Sequence, residues 1–277
     1  MGRVIFKEAV IKMRLILPIF MLLTASARCA DVTARSWTFD SNIEASSSLH
    51  SVQDPAHIAS LELELMPRFT MAPSFLFKPL LVIDQELTQE KITFIKKSDL
   101  GFSYSGMDLN PFFHFSASST VIIPISRGKW SQDSLLTGLK IAPRLSFGFE
   151  KTKFLKPFSG FYELSGGRLF HEFTTSTTGL SNNRYLLAQK INLDIALNET
   201  LKISSIYSAV TGWTYLGNPT SKFEWASELD YQISSQWGSS AGVSNSGDTL
   251  RPNGQDSNVS LWNSNSTQIY VGINYVY

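Results

Sequence analysis

The 277-residue chain holds a single cysteine, and that scarcity sets the first limit on what it can be. One thiol excludes an intramolecular disulfide framework and a cysteine-built zinc site. Charge is sparse too: Asp, Glu, Lys and Arg make up 17% of the residues, against roughly 25% in ordinary soluble domains. The two signs nearly cancel, 24 Lys and Arg against 23 Asp and Glu, so composition gives nucleic-acid binding no footing. Beyond the N-terminal segment no apolar run approaches the roughly 20 residues that a membrane-crossing helix needs. Aromatic residues, by contrast, reach 12%, and Ser, Thr and Asn crowd the same stretches. That mixture suits a protein that is apolar outside and polar inside.

The N-terminal segment reads as an export signal. Arg14 supplies positive charge, Leu15 to Leu23 form an apolar run, and Ala25-Ser26-Ala27 is a small-x-small cleavage site. Met13 is an alternative start, because Lys7, Glu8 and Lys12 make an untypical leader. The run is too short to anchor the chain. Cys29 follows Arg28, which does not fit a lipidation box. Residues 1–27 are thus a signal peptide and residues 28–277 a single exported domain.

From Trp37 onward, apolar and polar residues alternate at every second position, the period of an extended strand. Leu61, Leu63, Leu65, Pro67, Phe69 and Met71 oppose Glu62, Glu64, Arg68 and Thr70, with Met66 the one apolar residue on the polar side. After Ala72-Pro73-Ser74, Phe75, Phe77, Pro79, Leu81 and Ile83 oppose Lys78, Asp84 and Glu86. Leu139, Ile141, Pro143, Leu145, Phe147 and Phe149 oppose Lys140 and Arg144, and Leu187 to Leu197 oppose Lys190, Asn192 and Asp194. Phe223, Trp225, Leu229, Tyr231 and Ile233 oppose Lys222, Glu224, Glu228 and Asp230. In the segment from Phe158 to Phe173 the phase breaks at Gly166-Gly167, which suggests a bulge or a close backbone contact. The count comes to about twelve strands, each near the ~10 residues of a membrane-crossing strand.

Connections alternate in length. Those near Pro73, Asn110, Thr152, Asn198 and Ser235 read as short. Between them lie longer polar ones around Gln53, Glu90 to Lys97, Arg127 to Ser134, Thr174 to Asn183 and Asn245 to Ser266, with only Gly217-Asn218-Pro219 brief. Trp37, Tyr104, Trp213, Tyr215, Trp237 and Tyr275 fall near strand ends, where interfacial aromatic girdles sit. The expected fold is all-β: a transmembrane, antiparallel, up-and-down barrel with short turns on one side and longer loops on the other.

The last strand, Thr267 to Tyr277, carries the sharpest pattern. Ile269, Val271, Ile273, Tyr275 and Tyr277 share one face, and the chain stops on an aromatic residue. Here the sequence resembles the closing strand of bacterial outer-membrane β-barrels of the small porin-like class. The resemblance rests on Tyr277, Tyr275, Ile273, Gly272 and Val271. It implies that these residues form the signal read by the barrel-assembly machinery and that the chain resides in outer-membrane lipid.

Candidates for chemistry are few. His114 and Ser116 share one strand face and resemble the His-x-Ser of outer-membrane phospholipase A, but Gly128 stands where that family has Asn. A hydrolase needs serine, base and an orienting third group, and the sequence offers no third group. His171 and Glu172 are adjacent in a strand and so face opposite ways. His50 and His57 flank the first loop without a further ligand at metal spacing, and the Asn- and Gly-rich stretch Asn245 to Asn258 lacks the order of a Ca²⁺ loop. No metal, cofactor or catalysis is expected.

The polar face itself is the remaining signal. Acidic residues gather on the first three strands and the tenth, among them Glu224, Glu228 and Asp230. Arg68 and Asp194 share that face, and basic residues gather on the middle strands, at Lys140, Arg144, Arg168 and Lys190. One acidic and one basic wall would create a transverse field that orients dipolar solutes in a pore. The leading expectation is a small channel for hydrophilic solutes lined by Arg68, Lys140, Arg144, Lys190, Asp194, Glu224, Glu228 and Asp230. The alternatives are a lumen-filled structural or adhesive barrel, and a barrel lipid hydrolase built on His114 and Ser116.

Overall fold

A strand that is apolar on one face and polar on the other must satisfy its backbone through neighbours, and in lipid only a closed sheet leaves no edge unpaired. The computed structural model describes residues 36–51, 54–88, 91–125, 133–149, 157–250, 257–263 and 265–277. The export-signal segment, Cys29, Gly128 and Thr152 lie outside the described residues. Twelve strands follow in chain order: β1 Trp37–Ser48, β2 Ala59–Ala72, β3 Phe75–Glu86, β4 Thr93–Asn110, β5 Phe113–Ile122 and β6 Leu135–Gly148. Then come β7 Phe158–His171, β8 Asn183–Ala196, β9 Leu201–Thr214, β10 Pro219–Gln232, β11 Trp237–Asp248 and β12 Thr267–Val276. Each pairs antiparallel with its sequence neighbours, and β1 pairs with β12 to close the barrel. No helix among the described residues is long and apolar enough to cross a membrane.

Closure is made by the chain's last residues. Tyr277 and Phe39 exchange backbone hydrogen bonds, Tyr277 N–H donating to the Phe39 carbonyl at 2.9 Å and Phe39 N–H to the Tyr277 carbonyl at 3.2 Å. The Trp37 and Tyr277 rings meet at 5.5 Å between centroids, and Trp237 meets Tyr275 at 4.7 Å. Phe75–Tyr104 and Phe77–Phe102 contacts continue this aromatic collar around the end that holds the chain terminus. Tyr215 follows the last residue of β9, at the other end of the barrel. Its hydroxyl donates to the Leu169 carbonyl and accepts from the His171 N–H, so it braces the opposite rim.

The aliphatic rows face outward. Ile141, Leu193, Leu229, Val271 and Ile273 are each more than two-fifths exposed, as apolar residues of a soluble core never are in such numbers. Most sequence-based boundaries agree with the strands, with two differences. Residues 93–97 extend β4 rather than lengthening a loop, because Lys96 sits at a register shift and reaches back across β3. And β11 runs on to Asp248 through a stretch with almost no apolar residue.

That last difference has a physical cause. Asn245 and Thr267 share the outward phase with Val271, yet are 1% and 0% exposed. The segment 257–263 lies over them: Asn245 donates its amide to the Ser260 carbonyl at 2.6 Å, and Thr267 N–H donates to the Asn263 carbonyl at 2.8 Å. Where loop covers the wall, the strand needs no aliphatic residues. Leu261 and Trp262 stay exposed on this covering segment.

Gly106 shows where backbone geometry dictates the residue. It holds φ at +91°, and a Cβ there would stand 1.6 Å from the Phe115 carbonyl oxygen, inside the bulge between Tyr104 and Met107. Gly106→Ala is expected to destabilise the barrel by more than about 1 kcal/mol in urea titrations. Gly166→Ala, with nothing within 4 Å of its Cβ, is the control and should leave the midpoint unchanged.

Candidate functional site: the barrel lumen

Register assigns every strand residue to the wall or the lumen, since directly paired residues share a face. One inward row runs Ser60–Ser46–Tyr270–Gly242–Glu228–Ser204–Asp194. A second runs Ser116–Arg144–Glu163–Lys190–Ser208–Glu224. Ser and Gly fill most places between the charges. Small side chains there leave the interior wide, whereas a filled barrel needs large ones.

The structure sorts these charges by wall. Glu64 on β2, Glu44 on β1, and Glu224 and Glu228 on β10 stand on one arc, and form no ion pair among the described residues. Glu44 lies within electrostatic reach of Glu62, Glu64 and Glu228, with the Lys96 ammonium offsetting them. Tyr270 reaches Glu228 by crossing β11 at Gly242, and its hydroxyl donates to Oε2 at 3.2 Å. A Cβ on Gly242 would come within 2.6 Å of the Tyr270 ring and hydroxyl, so the glycine makes room for that reach.

The facing arc, from β3 to β8, is basic. A cavity of about 610 Å³ opens there, lined by Lys78, Lys97, Lys140, Arg144 and Lys190 together with Asp99 and Glu163. Hydroxyls of Ser103, Ser116, Ser118 and Thr120 complete its polar wall. Arg144 donates from Nε at 2.9 Å and Nη2 at 2.5 Å to Glu163 Oε2, with its guanidinium 4.0 Å over the Phe161 ring. Lys97 pairs with Asp99 at 3.3 Å. Lys78, Lys140 and Lys190 form no ion pair among the described residues, so the cavity carries surplus positive charge.

The lumen is polar and the wall around it apolar, and the barrel fold itself recurs in solved structures. No protein-family model matches the sequence, and no curated protein does. Among solved structures, an outer membrane channel from Pseudomonas putida F1 superposes with a TM-score of 0.59 at 6% identity, covering 91% of this chain and 98% of that one. The NanC porin superposes with a TM-score of 0.52 at 8% identity, covering 86% and 98%. The chain has the fold of bacterial outer-membrane porin-like barrels.

The remaining residues of this porin-like barrel divide into those that stay in the lumen and one that leaves it. Arg68 pairs with Asp40, and Lys202 bridges Asp194 at 3.7 Å and Asp230 at 3.4 Å, so these charges are internally matched. Lys96 likewise joins Glu62 at 2.5 Å and Asp84 at 3.7 Å. Arg168 is different. It is registered with Tyr185 and Leu139, on the outer face, not in the lumen where the sequence suggested it. The strand keeps its phase through Gly166-Gly167; the register shift lies instead between Leu135 and Thr137 on β6. Arg168 itself produced the apparent break, because it is a cation in an otherwise apolar outward row. It lies three residues from the loop end of β7, over Phe170 at 4.8 Å. There a cation costs only about 0–1 kcal/mol. Arg168→Leu should therefore shift unfolding free energy by no more than about 1 kcal/mol.

His114 and Ser116 do share the lumen face. His114 acquires an acidic partner that the sequence did not reveal: Nδ1 lies 2.8 Å from Asp108 Oδ1. Its Nε2, however, faces the Ser105 carbonyl, not the Ser116 hydroxyl, so no nucleophile is coupled to the base. His50 pairs with Asp54 at 3.5 Å and His57 Nδ1 lies 3.0 Å from the His50 carbonyl oxygen, contacts that order the first loop. Among the described residues no cluster of three potential metal ligands occurs. Lys78, Lys97, Asp99 and Glu163 are lumen residues the sequence reading left out of its site. Glu163, between outward Tyr162 and Leu164, was within reach of the period-two rule.

Proposed function

We infer that this protein is an outer-membrane channel of small bore that passes hydrophilic solutes and performs no catalysis. One observation carries the reading: unpaired ammonium and carboxylate groups surround an open cavity inside an apolar belt. Buried charges without partners are unstable unless water reaches them, so a hydrated lumen follows. Export through residues 1–27 and insertion by the assembly machinery, with Val271, Gly272, Ile273, Tyr275 and Tyr277 as the signal, complete the reading. The likeness in fold to an outer membrane channel supports it.

Planar bilayers test it. Purified protein should produce stepwise currents, and Arg144→Ala or Glu228→Gln should change the step size. A silent bilayer with folded, inserted protein would contradict the reading.

A further inference from the structure

The two charged arcs face each other across the lumen, and their unpaired members differ only in sign. In a ring of twelve strands, β2 and β8 are diametrically opposed, which sets Glu64 against Lys190. By the same count β10, bearing Glu224 and Glu228, stands opposite β4, where Lys97 is already paired with Asp99. The pairs that could short-circuit this separation are spent locally: Arg68 on Asp40, Arg144 on Glu163, Lys96 on Glu62 and Asp84. Among the described residues, the charges of the middle of the lumen that form no ion pair are an acidic set, Glu44, Glu64, Glu224 and Glu228, and a basic set, Lys78, Lys140 and Lys190; Lys222 and Asp248, registered with each other, lie nearer the loop end of β10 and β11.

Resting on the channel reading, we propose that the lumen selects zwitterionic solutes, small molecules with an anionic group at one end and a cationic group at the other. The anionic end meets Lys78, Lys140 and Lys190 within the 610 Å³ cavity, where the hydroxyls of Ser116, Ser118 and Thr120 take the place of lost water. The cationic end meets Glu44, Glu64 and Glu228. A zwitterion aligned this way gains from both walls, whereas a simple anion or cation is drawn to one and repelled by the other. A neutral solute gains from neither. The Tyr270–Glu228 hydrogen bond holds one carboxylate at fixed depth, so the acidic wall is pre-arranged.

Influx into proteoliposomes tests the proposal with three solutes of similar size: taurine (zwitterion), isethionate (its hydroxyl analogue, an anion) and choline (a cation). Taurine should enter about tenfold faster than either at low ionic strength. Two variants, Lys78→Gln/Lys140→Gln/Lys190→Gln and Glu44→Gln/Glu64→Gln/Glu228→Gln, should each abolish that advantage while keeping a conducting pore. Equal rates for taurine and isethionate through a conducting wild-type pore would overturn the zwitterion proposal and leave the channel reading standing. No conductance and no influx of any solute would overturn both.

Discussion

Replacing Lys78, Lys140 and Lys190 together by Gln should turn the pore markedly cation-selective, and replacing Glu44, Glu64 and Glu228 by Gln should turn it anion-selective. The wild type, with both sets in place, should discriminate weakly between K⁺ and Cl⁻. The magnitude follows from Coulomb's law in a partly hydrated interior. A unit charge about 4 Å from a passing ion contributes about 1 kcal/mol in water and about 4 kcal/mol at an effective dielectric near 20. Loss of three such charges shifts the permeability ratio by at least about tenfold, the equivalent of about 1.4 kcal/mol. Salt dependence separates this from a change in pore shape. The Debye length shrinks from about 10 Å at 0.1 M to about 3 Å at 1 M, so the selectivity should fade at high salt. Reversal potentials under a KCl gradient give the result directly. Selectivity of unchanged sign in both variants would mean that neither wall faces the conduction path.

The second large effect concerns the outside. Ile141 lies at the middle of β6 and is 65% exposed, a position only hydrocarbon makes sensible. Ile141→Arg should cost about 2–4 kcal/mol of stability. That is a large fraction of the roughly 5–15 kcal/mol available to a folded domain, so folded yield in lipid should fall sharply. The same substitution in a water-soluble sheet would be nearly silent on an exposed face. Arg168 is an outward cation, and it sits near the rim with its guanidinium on an aromatic ring. Depth, not the mere presence of charge, is what the wall discriminates.

These effects depend on face and depth, which the sequence exposes unequally. Face follows from a period of two, so the twelve strands and most lumen residues, Lys140, Arg144, Lys190, Glu224 and Glu228 among them, were legible from alternation alone. The rule fails where a residue's environment is not what its side implies. Arg168 faces outward but lies near the rim, where a polar residue on the outer face mimics the alternation of a lumen residue. Asn245 and Thr267 face outward beneath a loop, so the end of β11 looked like loop itself. Lys96 and Lys97 flank a register shift, where two successive cations turn to the same side. Contacts across the barrel were illegible for another reason: the Tyr270 reach over Gly242 to Glu228 joins residues far apart in sequence, and nothing local marks it. The Asp108–His114 contact depends likewise on the bulges that shift β4 against β5.

The most direct measurement is a cysteine scan of β8 in liposomes, from Leu186 to Leu193 in a Cys29→Ser background, with a small, charged, membrane-impermeant thiol reagent. Rapid labelling is expected at 186, 188, 190 and 192 through the aqueous lumen, and protection at 187, 189, 191 and 193 against lipid. Uniform protection, or labelling without a period of two, would contradict an aqueous lumen inside a lipid-facing wall.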